Sequence, residues 1–272
     1  MGTLRVTLLG TGSSGGVPRA TGEWGICDPN EPRNRRLRCG LLLQKWNGAE
    51  AGAPKEATTV LIDTPPDLRE QLVRAAPSHL DAVLISHDHA DQVAGFDDIR
   101  AFFIKQRKQM PVWIDEPTRR TFMQRFGYAF QSEGGYPAMA RDAGHMSPLV
   151  PVVIDGPGGP LEILPLEQSH GFSVSLGFRA GPIAYSNDVV SMPEATFAQL
   201  EGLELWIVDA LREMPHPTHA HLALSLEWIA RLKPKFAMLT NMHVDMDYQT
   251  LRRKLPQGVE PGYDGWSGDY AI

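Results

Sequence analysis

A chain of 272 residues, 42% hydrophobic and 21% charged, has the make-up of an ordinary globular protein and is long enough to bury a sizeable core. Its formal net charge of −6 at pH 7 argues against a nucleic-acid coat or a polybasic membrane binder, while leaving room for a small anionic substrate held locally. No stretch reaches the ~18 apolar residues of a membrane span, and the apolar run in MGTLRVTLLG is too short for a secretion signal. Val6 breaks the myristoylation pattern at Gly2. Two cysteines, Cys27 and Cys39, cannot build a disulfide framework, so free thiols and a cytoplasmic setting are expected.

In chain order, Leu4–Leu9 reads as a strand ending in the glycine-rich turn 10–16, followed by a Pro, Asn and Arg-rich loop over 17–38. Strands are predicted at 41–44 and 58–63 around a loop at 47–54, then a helix at 66–75 capped by Thr64 or Asp67. The run AVLIS at 82–86 is a buried strand leading straight into His87. A helix at 97–106, a strand at 111–114 and a helix at 117–126 follow, and 131–148 reads as loop. Strands at 150–154, 161–166, 174–179 and 182–186 are separated by GPGGP and AGP turns. The chain then alternates: helix 194–200, strand 205–208, helix 222–232, strand 236–240, helix 248–254. Two packed sheets flanked by helices, in one domain spanning 1–272, fit this order.

The segment Gly10-Thr11-Gly12-Ser13-Ser14-Gly15 matches G-x-G-x-x-G after a strand, but no helix begins within it: Gly16, Val17 and Pro18 follow. It is therefore read as a tight turn at the mouth of a sheet, whose N–H groups could still approach an oxyanion. The chemistry concentrates in Ser86-His87-Asp88-His89-Ala90-Asp91-Gln92. Two imidazoles two residues apart at the end of a buried strand can reach one point, and Asp91 a second point nearby, with the ligand types that zinc and related ions prefer. A solvated polar turn is the competing reading of such a segment.

SHDHADQ resembles the HxHxDH signature of the metallo-β-lactamase superfamily, and other segments resemble that family in order: GTGSSGGVPR, VLIDTPPD at Asp63, Ser169-His170, IAYSNDVV at Asp188, HLALS at His221, and LTNMH. The branch resembled most is that of the phosphonate-pathway cyclic-phosphate phosphodiesterases; ribonuclease Z and the pyrroloquinoline-quinone biosynthesis protein B are more distant. The resemblance implies an α/β, αββα sandwich with metals at one edge. It implies that His87, His89 and His170 hold one divalent ion, that Asp188 bridges, and that Asp91 holds a second ion. Two zinc or manganese ions are thus expected. Two positions depart from the signature: Gln92 stands in place of a histidine, and in LTNMH Asn241 stands where a histidine is expected, with His243 two residues later. His243 is taken as the second ion's ligand, with Asn241 or neither as alternatives. Amide oxygen in place of imidazole would shift that position from zinc towards harder ions such as Mn²⁺ or Mg²⁺. Cys27 and Cys39 alone cannot form the closed zinc site that this branch often carries on the loop after its first strand.

By the same resemblance the expected activity is hydrolysis of a small cyclic or nucleotide-like phosphodiester by metal-activated water. Asp91 or Asp188 would orient the water, and His221, preferred over His219, would protonate the leaving oxygen. A helix-capping role is the alternative for both histidines. A thioester or lactone hydrolase, a mononuclear redox centre, and a non-catalytic metal- and nucleotide-binding relative are the competing readings. The basic run Arg33, Arg35, Arg36 and Arg38 is read as a solvated face, or else a phosphate-facing loop. The partner expected is a small phosphorylated molecule, with no stable nucleic-acid complex and no membrane; a homodimer is left open.

Overall fold

Burial alternates along the strands with a period of two, and both faces are covered. Leu41 and Leu43 enter one apolar cluster while Leu42 enters another, and Leu205 and Ile207 separate in the same way from Trp206 and Val208. A strand covered on both sides must be apolar almost throughout, which is why VLI, AVL and LWIV are continuous apolar runs. The computed structural model of the chain describes residues 2–48 and 55–272; most of the expected 47–54 loop lies outside them.

The first sheet contains β1 (Gly2–Gly10), β2 (Gly40–Asn47), β3 (Thr58–Ile62), β4 (Ala82–Leu84), β5 (Met110–Ile114) and β6 (Ala140–His145). The second runs from β7 (Val152–Ile154) through β8 (Leu161–His170), β9 (Ser173–Ala180), β10 (Ile183–Ser186), β11 (Leu205–Asp209) and β12 (Phe236–Thr240) to β13 (Val259–Pro261). The last strand, β14 (Ser267–Ala271), returns to the first sheet, giving the order β14-β1-β2-β3-β4-β5-β6. The helices are α1 (Leu68–Ala75), α2 (Ala90–Val93), α3 (Arg100–Gln106), α4 (Glu116–Phe126), α5 (Glu194–Gln199), α6 (Leu222–Leu232) and α7 (Tyr248–Lys254). No described helix is long and apolar enough to cross a membrane.

One apolar cluster lies between the sheets, with Leu4, Leu43 and Val60 facing Ile163, Phe178 and Ile207. A second packs Leu68, Phe96 and Phe122 on the outer face of the first sheet. A third packs Phe197, Trp228 and Leu251 on the outer face of the second. The layers are therefore helix, sheet, sheet, helix: the αββα sandwich.

Two regions differ from the sequence expectation. The stretch 131–148 contains β6, whose residues ARDAGH show no apolar period; its strand state comes from parallel pairing with β5. β13 and β14 also lie outside the expected elements. SGDYA is a part-exposed edge strand whose conformation is set by antiparallel pairing with β1, Thr3 opposite Ala271 to Thr7 opposite Ser267.

The glycine turn is explained by close approach. A Cβ on Gly10 would lie 2.0 Å from the Arg38 carbonyl oxygen, so only glycine lets the returning chain cross here. The loop 17–38 is then tied down by polar groups. Arg36, 1% exposed, donates from Nη2 to the Met246 carbonyl (2.7 Å). Asn34 Nδ2 donates to Asp247 Oδ2 (2.7 Å), and the Asn34 Oδ1 accepts from the Tyr248 N–H (2.8 Å). Arg33 lies over the rings of Tyr248 and Tyr263, and Arg38 pairs with Asp67. Only Arg35 of the basic run is fully on the solvent side. The solvated-face expectation thus fails for Arg36, whose charge anchors the loop instead. Cys27 and Cys39 are free and buried.

Asp247 also caps α7, accepting from Thr250 N–H at 2.9 Å, and takes the Asp28 N–H at 3.2 Å. Asp247→Ala removes a cap and leaves the buried Asn34 amide short of an acceptor. We expect a loss of about 2–3 kcal/mol, read as a fall in Tm of roughly 4–12 °C, with metal content unchanged. A Tm within 1 °C of wild type would show that the loop is held without this carboxylate.

Candidate metal centre

Buried strands deliver the polar residues to one edge. β3, β4, β8, β10, β11 and β12 end at or within two residues of Asp63, Ser86, His170, Asp188, Asp209 and Asn241. Carboxyl ends of parallel strands are where open α/β sheets place ligands. Asp63, Asp188 and Asn241 have positive φ of 64°, 51° and 61°, a left-handed backbone that Asp and Asn tolerate better than most residues. Each turns the chain sharply just past its strand.

His87 is 2% exposed and held by a relay. Ser86 donates its N–H to Asp63 Oδ1 and its hydroxyl to Asp63 Oδ2, both at 2.8 Å. With its one proton committed, the Ser86 Oγ can only accept from His87 Nδ1–H, at 3.0 Å. This leaves a lone pair on His87 Nε2, which is buried without a hydrogen-bond partner. His170 is fixed in a similar way: its Nδ1–H donates to the Thr218 carbonyl at 2.7 Å, and Nε2 faces His89 Nδ1 at 3.2 Å. The approach of Thr218 depends on Gly171, at φ 71°, where a Cβ would meet the Thr218 methyl at 2.5 Å.

One nitrogen from each of His87, His89 and His170 lies within 4.8 Å of the others. Burial, with His89 and His170 alongside, holds His87 well below the usual imidazole range, and burial beside His219 pulls His170 down to about 4. Metal ions bind neutral imidazole. An orphaned buried ring nitrogen, two facing ring nitrogens, and hydrogen bonds to Ser86 and the Thr218 carbonyl that orient the two buried histidines are features that fit one divalent ion.

Asp188 and Asp91 also reach this edge, but in amide company. Gln92 Nε2 donates to Asp91 Oδ2 (3.3 Å) and to Asp188 Oδ2 (3.1 Å). Asn187 Nδ2 donates to the same Asp188 oxygen, and Asn241 Nδ2 lies 3.4 Å from Asp188 Oδ1. A second ion would find two amide-held carboxylates, and of the imidazoles nearby His219 is bonded to Asp209 while His170 is shared with the first cluster; that donor set is a poor match for a second zinc-class ion.

Two expected residues are not brought in. His243 was expected as a ligand, but its Nε2 meets the Arg19 guanidinium and its Nδ1 lies 3.1 Å from Asp245 Oδ1. The left-handed turn at Asn241 puts that residue in the site, while the His243 N–H is tied to the Leu211 carbonyl at 2.9 Å. His221 is the N-cap residue of α6, its carbonyl accepting from Ser225 N–H at 3.1 Å, and its ring joins neither ligand group.

His219, not His221, lies beside the cluster, its ring centroid 4.6 Å from that of His170. It forms a second group with His170 and Asp188, one ligand atom of each within 4.8 Å of the others. Its Nδ1 lies 2.9 Å from Asp209 Oδ2 and 3.6 Å from Asp188 Oδ1. Burial opposes its charge, but the Asp209 hydrogen bond and the charges of Asp209, Asp188 and Asp91 outweigh that and raise it to about 9. Asp209 was not singled out from the sequence. The available signal was a carboxylate closing the buried run LWIVD, as Asp63 follows VLI.

A four-layer sandwich whose strand ends gather three histidines and a set of aspartates defines the metallo-β-lactamase class. A family model described as a beta-lactamase superfamily domain matches residues 58–242, and the chain belongs to this superfamily of metal-dependent hydrolases. More narrowly, it is 32% identical to a crystal structure described as a new diphosphatase from the PhnP family, with a TM-score of 0.83, over 99% of this chain and 98% of that one. Zn²⁺-bound PqqB from Methylobacterium extorquens shares the fold, at 14% identity and TM-score 0.72, over 98% of this chain and 100% of that one. The chain is also 28% identical over 269 residues to an octanoyltransferase from Porphyromonas gingivalis, matching 96% of this chain. It spans about half, 51%, of that protein's length.

Proposed function

We propose that the chain hydrolyses a small phosphodiester, cyclic or nucleotide-like, using water activated at the His87, His89 and His170 cluster. The observation that carries this reading is the His219–Asp209 pair set beside that cluster. A bound divalent ion supplies a water of lowered pKa and neutralises phosphoryl oxygens. The protein's own groups do the rest. Asp91 accepts a hydrogen bond from the attacking water and orients it. Asp209 fixes the His219 ring by its Nδ1, so that Nε2–H is free to protonate the departing oxygen. Ser86 and the Thr218 carbonyl keep two cluster histidines in the required tautomer.

The similarity to a PhnP-family diphosphatase along nearly the whole chain supports phosphoryl chemistry. The match to an octanoyltransferase favours an acyl substrate as second reading, although it covers only half of that protein. The two differ in what they ask of His219. A thiolate leaves with a pKa of about 8.5 and needs no proton, whereas an alkoxide is nearly as basic as hydroxide and does. A positioned acid is therefore matched to an alkoxide leaving group, as in a phosphodiester, and not to a thioester.

The test is a panel of cyclic and linear phosphodiesters, acyl thioesters and lactones, assayed with Zn²⁺ and with Mn²⁺. The expected result is a kcat/KM for the best phosphodiester about 10²-fold or more above any thioester, the scale a general acid contributes. Thioesters hydrolysed faster than every phosphodiester would replace the first reading with the second.

A further inference from the structure

We infer that the centre of this chain is built for one metal ion, and that the amides of Gln92 and Asn241 close the position a second ion occupies in dinuclear relatives. This rests on the three-histidine reading above.

Asp188 is the carboxylate expected to bridge two ions. To bridge, it must keep one lone pair for each. Here Oδ2 accepts from both Gln92 and Asn187, while Oδ1 faces Asn241 Nδ2 at 3.4 Å and His219 Nδ1 at 3.6 Å. The second carboxylate is committed to the same donor, since Gln92 Nε2 also holds Asp91 Oδ2. One amide thus cross-links the two carboxylates that a second ion would need.

The amides cannot easily withdraw. Gln92 is 0% exposed and Asn241 1%, so neither has solvent to swing into. Gln92 Oε1 is buried without a partner, yet the side chain still directs its NH₂ at the carboxylates. The Asp91 and Asp188 oxygens favour that orientation, because the opposite one would face them with the amide oxygen. The N–H contacts supply some of the charge neutralisation that a cation otherwise gives. His243, the other possible nitrogen ligand, is engaged by Arg19 and Asp245. His219 and His170 share a ligand group with Asp188, but His219 Nδ1 is bonded to Asp209 at 2.9 Å and His170 Nε2 faces His89 of the first cluster at 3.2 Å.

The experiment counts metal. Wild-type protein, Gln92→His, and Gln92→His with Asn241→His are loaded with excess Mn²⁺ or Zn²⁺, desalted, and measured by plasma mass spectrometry. The Mn²⁺ forms are also examined by electron paramagnetic resonance. We expect one ion per wild-type chain with the spectrum of isolated Mn²⁺, and two ions with an exchange-coupled spectrum in the double variant. Two ions in the wild type, held with Gln92 rotated to offer Oε1, overturn the inference. A double variant that folds but still binds one ion overturns the assignment to these two amides. If that variant does not fold, the wild-type count and spectrum still decide. A wild type that binds no ion refutes the three-histidine reading itself, a result distinct from either of the others.

Discussion

His87→Ala and His89→Ala are each expected to lose the bound ion and with it hydrolysis, while the polypeptide stays folded. Structural zinc sites of four ligands bind with an apparent 10–16 kcal/mol, so one imidazole carries roughly 3–4 kcal/mol, or ~10²–10³ in affinity. Losing one of only three histidines should leave the centre largely empty at micromolar metal. The fold is not expected to follow. His87 Nε2 is a buried nitrogen with no protein partner, and such a group costs about 1–3 kcal/mol in the metal-free protein. Its removal relieves that cost even as it opens a small cavity. Metal-free His87→Ala should therefore melt within a few degrees of metal-free wild type, with unchanged circular dichroism. His89→Ala should behave alike, because that ring is exposed. Metal analysis after gel filtration is the check, and wild-type stoichiometry in either variant would falsify the assignment.

The second large effect concerns His219. Replacing it with Gln or Ala should lower kcat by about 10²–10⁴-fold for a substrate with an alkoxide leaving group, at unchanged metal content. A leaving group that departs without a proton, such as p-nitrophenolate, should lose far less. The pH dependence has a definite sign. With His219 as the proposed acid, activity should be present below its pKa of about 9 and decline as pH rises through that value. Asp209→Asn removes the carboxylate that sustains the charge and should move this limb to lower pH. In His219→Gln the limb should vanish. His221→Ala, by contrast, should change kcat less than about threefold, the scale of a helix-start residue outside the chemistry. Equal losses in His219→Gln and His221→Ala, or a basic limb that survives in His219→Gln, would return the role of acid to another group.

Much of the site was legible because local sequence controls it. HxHxD follows a buried strand directly, so two ligands share one turn whatever the rest of the chain does. His170 closes β8 and Asp188 follows shortly after β10, and an apolar run buried on both faces has few ways to end other than at a polar edge. The same local logic gave the alternation of strands and helices in the second half, where apolar periods are strong.

Long-range geometry decided the rest. β6 and β14 are strands because an edge of the first sheet offers them unpaired N–H and C=O groups, not because ARDAGH or SGDYA have a strand pattern. His219 and His221 are two residues apart with equal chemistry. Only the placement of Asp209, ten residues before His219, chooses between them, and that pairing needs β11 and the α6 approach folded together. The choice between Asn241 and His243 turns on a single left-handed residue and on where Arg19 arrives from the far end of the chain. Residue type and strand position determined which atoms could bind metal; which of them meet is fixed by packing between segments distant in sequence, and no local pattern encodes it.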